Sequence, residues 1–207
     1  RRERVEEGGV AVRLPRGLPL RRREHVVHRA DEREEVAVLR ARVHAAKVED
    51  VVEVILQSIP YSGFPGAVEI LGHIEVSSLE TVQRITLSPP RNIFQEVYGA
   101  ASDKVRDSLR QRHPDLESWI LNFAYGTVMP SSSWETRDLE KLAISSLLGQ
   151  MRMTPFHSHL RGALRCGCTV QELQELLEGL NDIAHPDALK KAFELLSAES
   201  KKSQNSD

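Results

Sequence analysis

Residues 154–173, TPFHSHLRGALRCGCTVQEL, hold two histidines and two cysteines. Three chemistries are open to such a set: proton transfer by imidazole, thiol redox chemistry and metal ligation. His159 suits the first, because an imidazole takes or gives a proton near neutral pH. Glu140 lies nineteen residues earlier, on the preceding helical stretch. If the two stretches pack antiparallel around a turn at 149–155, the carboxylate can orient the imidazole and stabilise its charged form. The plainer use of Glu140 is a buried helix-helix contact to Arg161 or His159, with no turnover. His157, two residues from His159, faces another side of a helix and reads as a loop or surface residue.

Cys166 and Cys168 are separated by one residue, whereas paired zinc cysteines usually need at least two between them. No metal is therefore expected from His157, His159, Cys166 and Cys168. The corner they occupy has a structural explanation. Thr169 with Glu172 three residues on forms a capping-box signature, and Gly167 suits a helix end that needs positive φ. On that reading the cysteines are small packing residues.

The elements that must position these residues are helices. VEDVVEVILQSI places Val48, Val51, Val52, Ile55 and Ile59 on one helical face. A second helix is expected from a turn at Ser62 and Gly63 to about Val76, with Val68, Leu71 and Gly72 on its buried side. After a connection ending at Pro89 and Pro90, three- and four-residue apolar steps predict one long amphipathic helix over 93–113, stopped by Pro114. A shorter helix should end at Gly126, followed by a polar loop. Four more helices are expected at 139–148, 156–165, 170–181 and 186–198, and residues 199–207 read as a disordered tail. No stretch alternates like a strand for long, so the expected class is all-α.

Composition sets the frame. The 207 residues admit one sizeable core or two smaller ones. With 40% hydrophobic and 28% charged residues, the chain falls in the soluble globular range. No apolar run approaches the roughly 18 residues a membrane span needs. Two cysteines give no disulfide framework, so a reducing cytoplasmic setting is the default. The chain opens on Arg1 and its first methionine is Met129, as expected of a fragment, a processed product or a translation without its natural start. Residues 1–47 carry a formal +5, against −7 for the rest. This Arg-rich segment has no aromatic residue for base stacking and interleaves its arginines with glutamates, which argues against a nucleic-acid partner. Its acidic residues also argue against a transit peptide.

Laying Val48 over Val170 pairs VEDVVEVILQSIPYSGFPGAV with VQELQELLEGLNDIAHPDAL, matching Glu53 to Glu175 and, after one deletion, Pro65 to Pro186. This points to a tandem duplication. The order of motifs extends it. Tyr125 and Gly126, Glu140 opening a helix, HLRGAL at 159–164 and YSGFP at 61–65 together resemble the carboxymuconolactone decarboxylase family, within the alkylhydroperoxidase D-like superfamily. The resemblance covers about 48–76 and 118–196, with one unit ending near 88 and a second over 89–198.

The resemblance implies an alkylhydroperoxidase D-like helical bundle in two tandem units, completed by oligomerisation, with a homotrimer favoured. It implies decarboxylation of a small carboxylated lactone or related acid without a cofactor. His159 would be the general acid or base, Glu140 its orienting partner and Arg161 a carboxylate anchor. Peroxidatic members carry a Cys-x-x-Cys pair followed by histidine. Here Cys166 and Cys168 follow His159 instead, and thiol antioxidant activity is kept as the alternative. A non-catalytic oligomeric protein is the third. By the repeat offset of 122, His159 and Glu140 correspond to Ala37 and Leu18, neither of which can do acid-base work. Residues 1–47 thus read as a strongly diverged or frame-shifted start of the first unit. YSGFP in the first copy is answered by DIAHP in the second, so a complete site would combine the second copy's helix corner with Tyr61 and Phe64 of the first.

Overall fold

The computed structural model describes residues 48–72 and 91–204. The Arg-rich segment 1–47, the connection at 77–90, the extension of the second helix to Val76 and the final residues 205–207 lie outside the described residues. Among the described residues every regular element is helical and none is a strand. None of these helices is long and apolar enough to cross a membrane.

In chain order the elements are α1 (Val48–Gln57), α2 (Ile59–Leu71), α3 (Ile93–Tyr98), a 3-10 turn (Gly99–Ala101), α4 (Ser102–Arg112), α5 (Pro114–Trp119), a π-helix (Ile120–Val128), a second 3-10 turn (Met129–Ser131), α6 (Thr136–Gly149), α7 (Met153–Arg165), α8 (Val170–Gly179) and α9 (Pro186–Gln204). The described residues divide into two compact units, one of 48–55 with 64–72, the other of 56–63 with 91–204. In the first unit Val52 and Ile55 are buried on the α1 face that their spacing predicts. On α2 the expectation fails: Ala67 is buried and Val68 is 69% exposed. The break itself lies where the sequence places a turn, at Gly63 (φ 78°, ψ 168°).

The second unit is built on α6 and α7, which pack along each other, with α3 and α9 also against α7. Ile144, Leu147 and Leu148 of α6 meet Phe156, Leu160 and Ala163 of α7, Leu173 and Leu177 of α8, and Ala188, Leu189, Ala192 and Leu196 of α9. Truncating a fully buried leucine here, such as Leu160 or Leu173, should cost about 2–5 kcal/mol. A second cluster joins Ile93, Phe94 and Val97 of α3 to Tyr125, Met129 and Leu139. Helix α6 thus gives Leu139 to one cluster and Ile144 onward to the other, with Glu140 between.

Three expected elements differ. The single helix over 93–113 is broken at Gly99, whose φ of 53° favours glycine. A Cβ there would stand 2.9 Å from Arg165 Nε, and the Arg165 guanidinium donates to the Val97 carbonyl. Tertiary packing therefore overrides the amphipathic pattern. Gly126 does not end its helix: the turn widens into the π-helix and runs on to Val128, with Gly126 sparing a contact of 2.9 Å to the Leu121 carbonyl. The tail is ordered further than expected, since α9 continues to Gln204. Glu199 within it is buried and binds His157 and Lys202, which ties the last turns to α7. The corner after α7 matches expectation, with Gly167 at φ 97° and both halves of the Thr169–Glu172 capping box formed.

Candidate functional site

Helices α6 and α7 run back on each other through the turn at 150–152, where the Met151 and Arg152 amides bind the Leu148 and Leu147 carbonyls at 2.9 Å. That pairing brings Glu140 and His159 together. His159 Nδ1 lies 3.1 Å from each oxygen of the Glu140 carboxylate. Glu140 is 0% exposed and His159 7%. With the carboxylate accepting, Nδ1–H donates, which fixes the ring and leaves Nε2 outside that contact. Among the described residues Nε2 makes no hydrogen bond. Gly162, one turn beyond His159, makes the approach possible. A Cβ there would run into the Glu140 carboxylate and stand 2.8 Å from Val97 Cγ1.

Aromatic rings surround the pair. Tyr61 sets its ring edge-on to the imidazole, centroids 5.5 Å apart at 85°. The Tyr125 hydroxyl donates to that of Tyr98 at 3.2 Å, and Phe94 packs edge-on against Tyr125 at 5.0 Å. Burial pushes the Tyr61 phenol well above its ordinary value, and the Glu140 charge adds to it. Burial does the same to Tyr125, with Tyr98, Tyr61 and Glu140 contributing. At Tyr98 burial outweighs the lowering effect of the Tyr125 hydrogen bond, and Glu140 again raises it. All three hydroxyls therefore stay protonated, supplying neutral donors close to a buried carboxylate. A cavity of about 280 Å³ reaches two of these rings, being lined by Phe94 and Tyr125 together with Arg91, Asn92, Leu121 and Gly126.

Tyr98 and Gln57 are additions that sequence reasoning missed. Gln57 is 1% exposed, and its Nε2 donates to the Val128 carbonyl at 2.8 Å. Because that partner is an acceptor, the amide orientation is fixed by chemistry, and Oε1 is left without a partner among the described residues. The available signal was a glutamine inside the apolar run VILQSI.

The other expected residues are dispersed. Arg161 is 55% exposed at its side chain and lies 3.8 Å from Glu199, on another face of α7 from His159. Among the described residues it makes no contact with the Glu140–His159 pair. His157 is not a loop residue but a helical one, bound through Nε2 to Glu199 at 2.8 Å. Phe64 belongs to the first unit and is 58% exposed. Tyr61, in the segment Leu56–Gly63, belongs to the same unit as the pair.

The cysteines look to different carbonyls, Cys166 to Glu96 and Cys168 to Arg137, each at 3.6 Å. Burial, reinforced by Glu140 and Glu96, pushes the Cys166 thiol up to about 11. Burial also raises Cys168, against the lowering charges of Lys141 and Arg137. A thiolate nucleophile needs the opposite shift. Among the described residues no three His, Cys, Asp or Glu side chains converge as a metal site. What the arrangement offers chemically is a buried, carboxylate-oriented imidazole among neutral phenols, suited to moving one proton. No protein-family model matches the chain, and no curated protein matches it.

Proposed function

We propose that the protein is a carboxymuconolactone decarboxylase-like enzyme in which His159 moves a proton during decarboxylation of a small carboxylated lactone or related acid. The observation that supports this reading is the buried Glu140–His159 pair, with both carboxylate oxygens 3.1 Å from Nδ1. In the proposed step the bond between the carboxylate and the ring carbon breaks. Carbon dioxide leaves, and the electron pair stays on the substrate as a dienolate. His159 Nε2–H delivers a proton to carbon, and Glu140 stabilises the imidazolium before the transfer. Solvent then reprotonates Nε2. The scheme requires no cofactor. On this reading the protein acts as a homo-oligomer, a trimer of tandem chains, which light scattering on the purified protein measures.

The test is a panel of small carboxylated lactones assayed for carbon dioxide release with wild-type protein and His159→Ala. Wild-type turnover should fall by about 10²–10⁴-fold in the variant, the range for loss of a general acid. Turnover unchanged in His159→Ala, or no turnover of any lactone by folded wild-type protein, removes the reading.

A further inference from the structure

Apart from the cavity beside Phe94 and Tyr125, the second unit holds a cleft whose lining suits a carboxylate. It measures about 510 Å³, and its lining includes Arg91, Arg137, Arg165, Glu96, Glu135 and Cys166. Three guanidinium groups face two carboxylates in the lining, and Glu172 pairs with Arg137 from outside it. Each arginine is already held. Arg91 donates to the Trp134 carbonyl at 2.9 Å and to Thr136 Oγ1 at 2.6 Å. Arg165 donates to the Val97 carbonyl, and Arg137 to Glu172. A guanidinium carries five N–H donors, so these contacts leave donors over while fixing the side chain. Fixing it beforehand lowers the ordering cost of binding an anion.

The chain also makes room for one of these arginines specifically. Gly99 breaks the α3–α4 helix where a Cβ would stand 3.0 Å from Arg165 Cδ. Val97 links this cleft to the Glu140–His159 pair: its side chain packs where Gly162 meets Glu140, and its carbonyl accepts from Arg165. Cys166 forms part of the cleft wall and packs on the cluster that contains Phe94, Val97 and Tyr125.

We propose that this cleft binds a small organic carboxylate, with Arg91 and Arg165 as the guanidinium forks that take it. Planar forks match a carboxylate through paired N–H donors. Glu96, held by Thr136, pairs with Arg91 at 3.8 Å and Glu172 pairs with Arg137, so among the described residues Arg165 is the guanidinium of the lining with no carboxylate partner. As the carboxylate anchor for the decarboxylation above, the cleft rests on that reading, but binding itself does not.

The experiment is calorimetric titration of the full chain with succinate, with dimethyl succinate as the uncharged control and inorganic phosphate as a competing anion. Succinate should bind saturably and dimethyl succinate should not. Arg91→Gln and Arg165→Gln should each weaken succinate roughly tenfold or more, the loss of a hydrogen bond between charged groups. Arg165→Lys, which keeps the charge without the fork, stands in if Arg165→Gln does not fold. A readout without mutation is alkylation of Cys166 by iodoacetamide at alkaline pH, where enough thiolate forms despite the raised thiol, and succinate should slow it in wild-type protein.

Absence of saturable heat with an unchanged Cys166 rate overturns the proposal. So do folded arginine variants that bind as wild type, and phosphate binding as tightly as succinate overturns the carboxylate assignment. His159→Ala should bind succinate normally. Succinate binding without lactone turnover removes the enzyme reading alone, and lactone turnover without succinate binding removes the cleft alone.

Discussion

Helix α7 carries two histidine-glutamate pairs two residues apart, and they behave differently because of what else touches each carboxylate. Glu140 is fully buried, and His159 is its hydrogen-bond partner, with phenol rings for neighbours. Glu199 gathers His157 at 2.8 Å, Lys202 at 2.7 Å and, more distantly, Arg161 at 3.8 Å. The outer carboxylate faces several cations at a partly exposed seam, so removing one leaves others. Among the described residues Glu140 has His159 alone as hydrogen-bond partner, in a place where water does not screen the carboxylate. The same two residue types thus make a helix clamp on one face of α7 and a proton-transfer candidate on the other.

The largest effect should separate the pairs directly. His159→Ala should abolish nearly all lactone turnover, by about 10²–10⁴-fold, while His157→Ala should leave it within about twofold. Equal losses in both variants would mean that neither histidine is special. The next effect is steric. Gly162→Ala drives a methyl group into the Glu140 carboxylate and Val97, and should destabilise by about 1–3 kcal/mol in denaturant melts while lowering turnover. Gly179, at the end of α8, has no atom within 4 Å of its would-be Cβ. Gly179→Ala should therefore be neutral or stabilising by up to about 1 kcal/mol. A Gly162→Ala protein as stable as Gly179→Ala would show that α6 and α7 are less tightly apposed.

These glycines show what could and could not be read from the sequence. The all-α class, the α6–α7 pair, the Glu140–His159 approach and the capped corner at Thr169 were legible, because period, spacing and capping residues are local signals. The break at Gly99 was not, because the side chain it makes room for is Arg165, sixty-six residues away in the chain. Tyr98 and Gln57 were hidden for a related reason. A tyrosine on an apolar stripe and a glutamine in a helix gain meaning only from Tyr125 and Val128, which the fold brings to them. That Arg161 sits beside Glu199 was equally hidden, since Glu199 comes from a helix thirty-eight residues on. The extension of α9 to Gln204 came from Glu199, whose partner His157 lies 42 residues earlier.

The outer pair should reveal itself by acid titration. Burial pushes the Glu199 carboxyl up, but hydrogen bonds from Lys202 and His157, with the charges of Lys202 and Arg161, outweigh it and leave the group below its ordinary 4.5. A carboxyl depressed in the folded state stabilises the protein above the unfolded value and loses that contribution as pH falls through the folded value. Glu199→Gln should therefore cost about 0.5–1 kcal/mol at pH 7 and flatten the loss of stability below about 4.5. An unchanged acid limb in Glu199→Gln would show that this clamp contributes no pH-dependent stability.

The smallest effect bears on how the inner pair is held in register. Met151, half-exposed in the α6–α7 turn, adopts φ 58°, a left-handed conformation that strains a residue with a Cβ. Met151→Gly relieves roughly 1 kcal/mol of that strain while adding about 0.5 kcal/mol of freedom to the unfolded chain, for a net gain near 0.5 kcal/mol. The turn is also what sets Glu140 against His159, whereas Glu199 on α9 reaches His157 without it. If packing at Gly162 and Val97 fixes the inner pair, Met151→Gly should be slightly more stable and equally active. If the strained turn itself holds the register, the same substitution should lower lactone turnover and leave the acid titration of the outer pair untouched. Measuring both quantities on one variant separates a helix contact that positions the imidazole from a loop that does so.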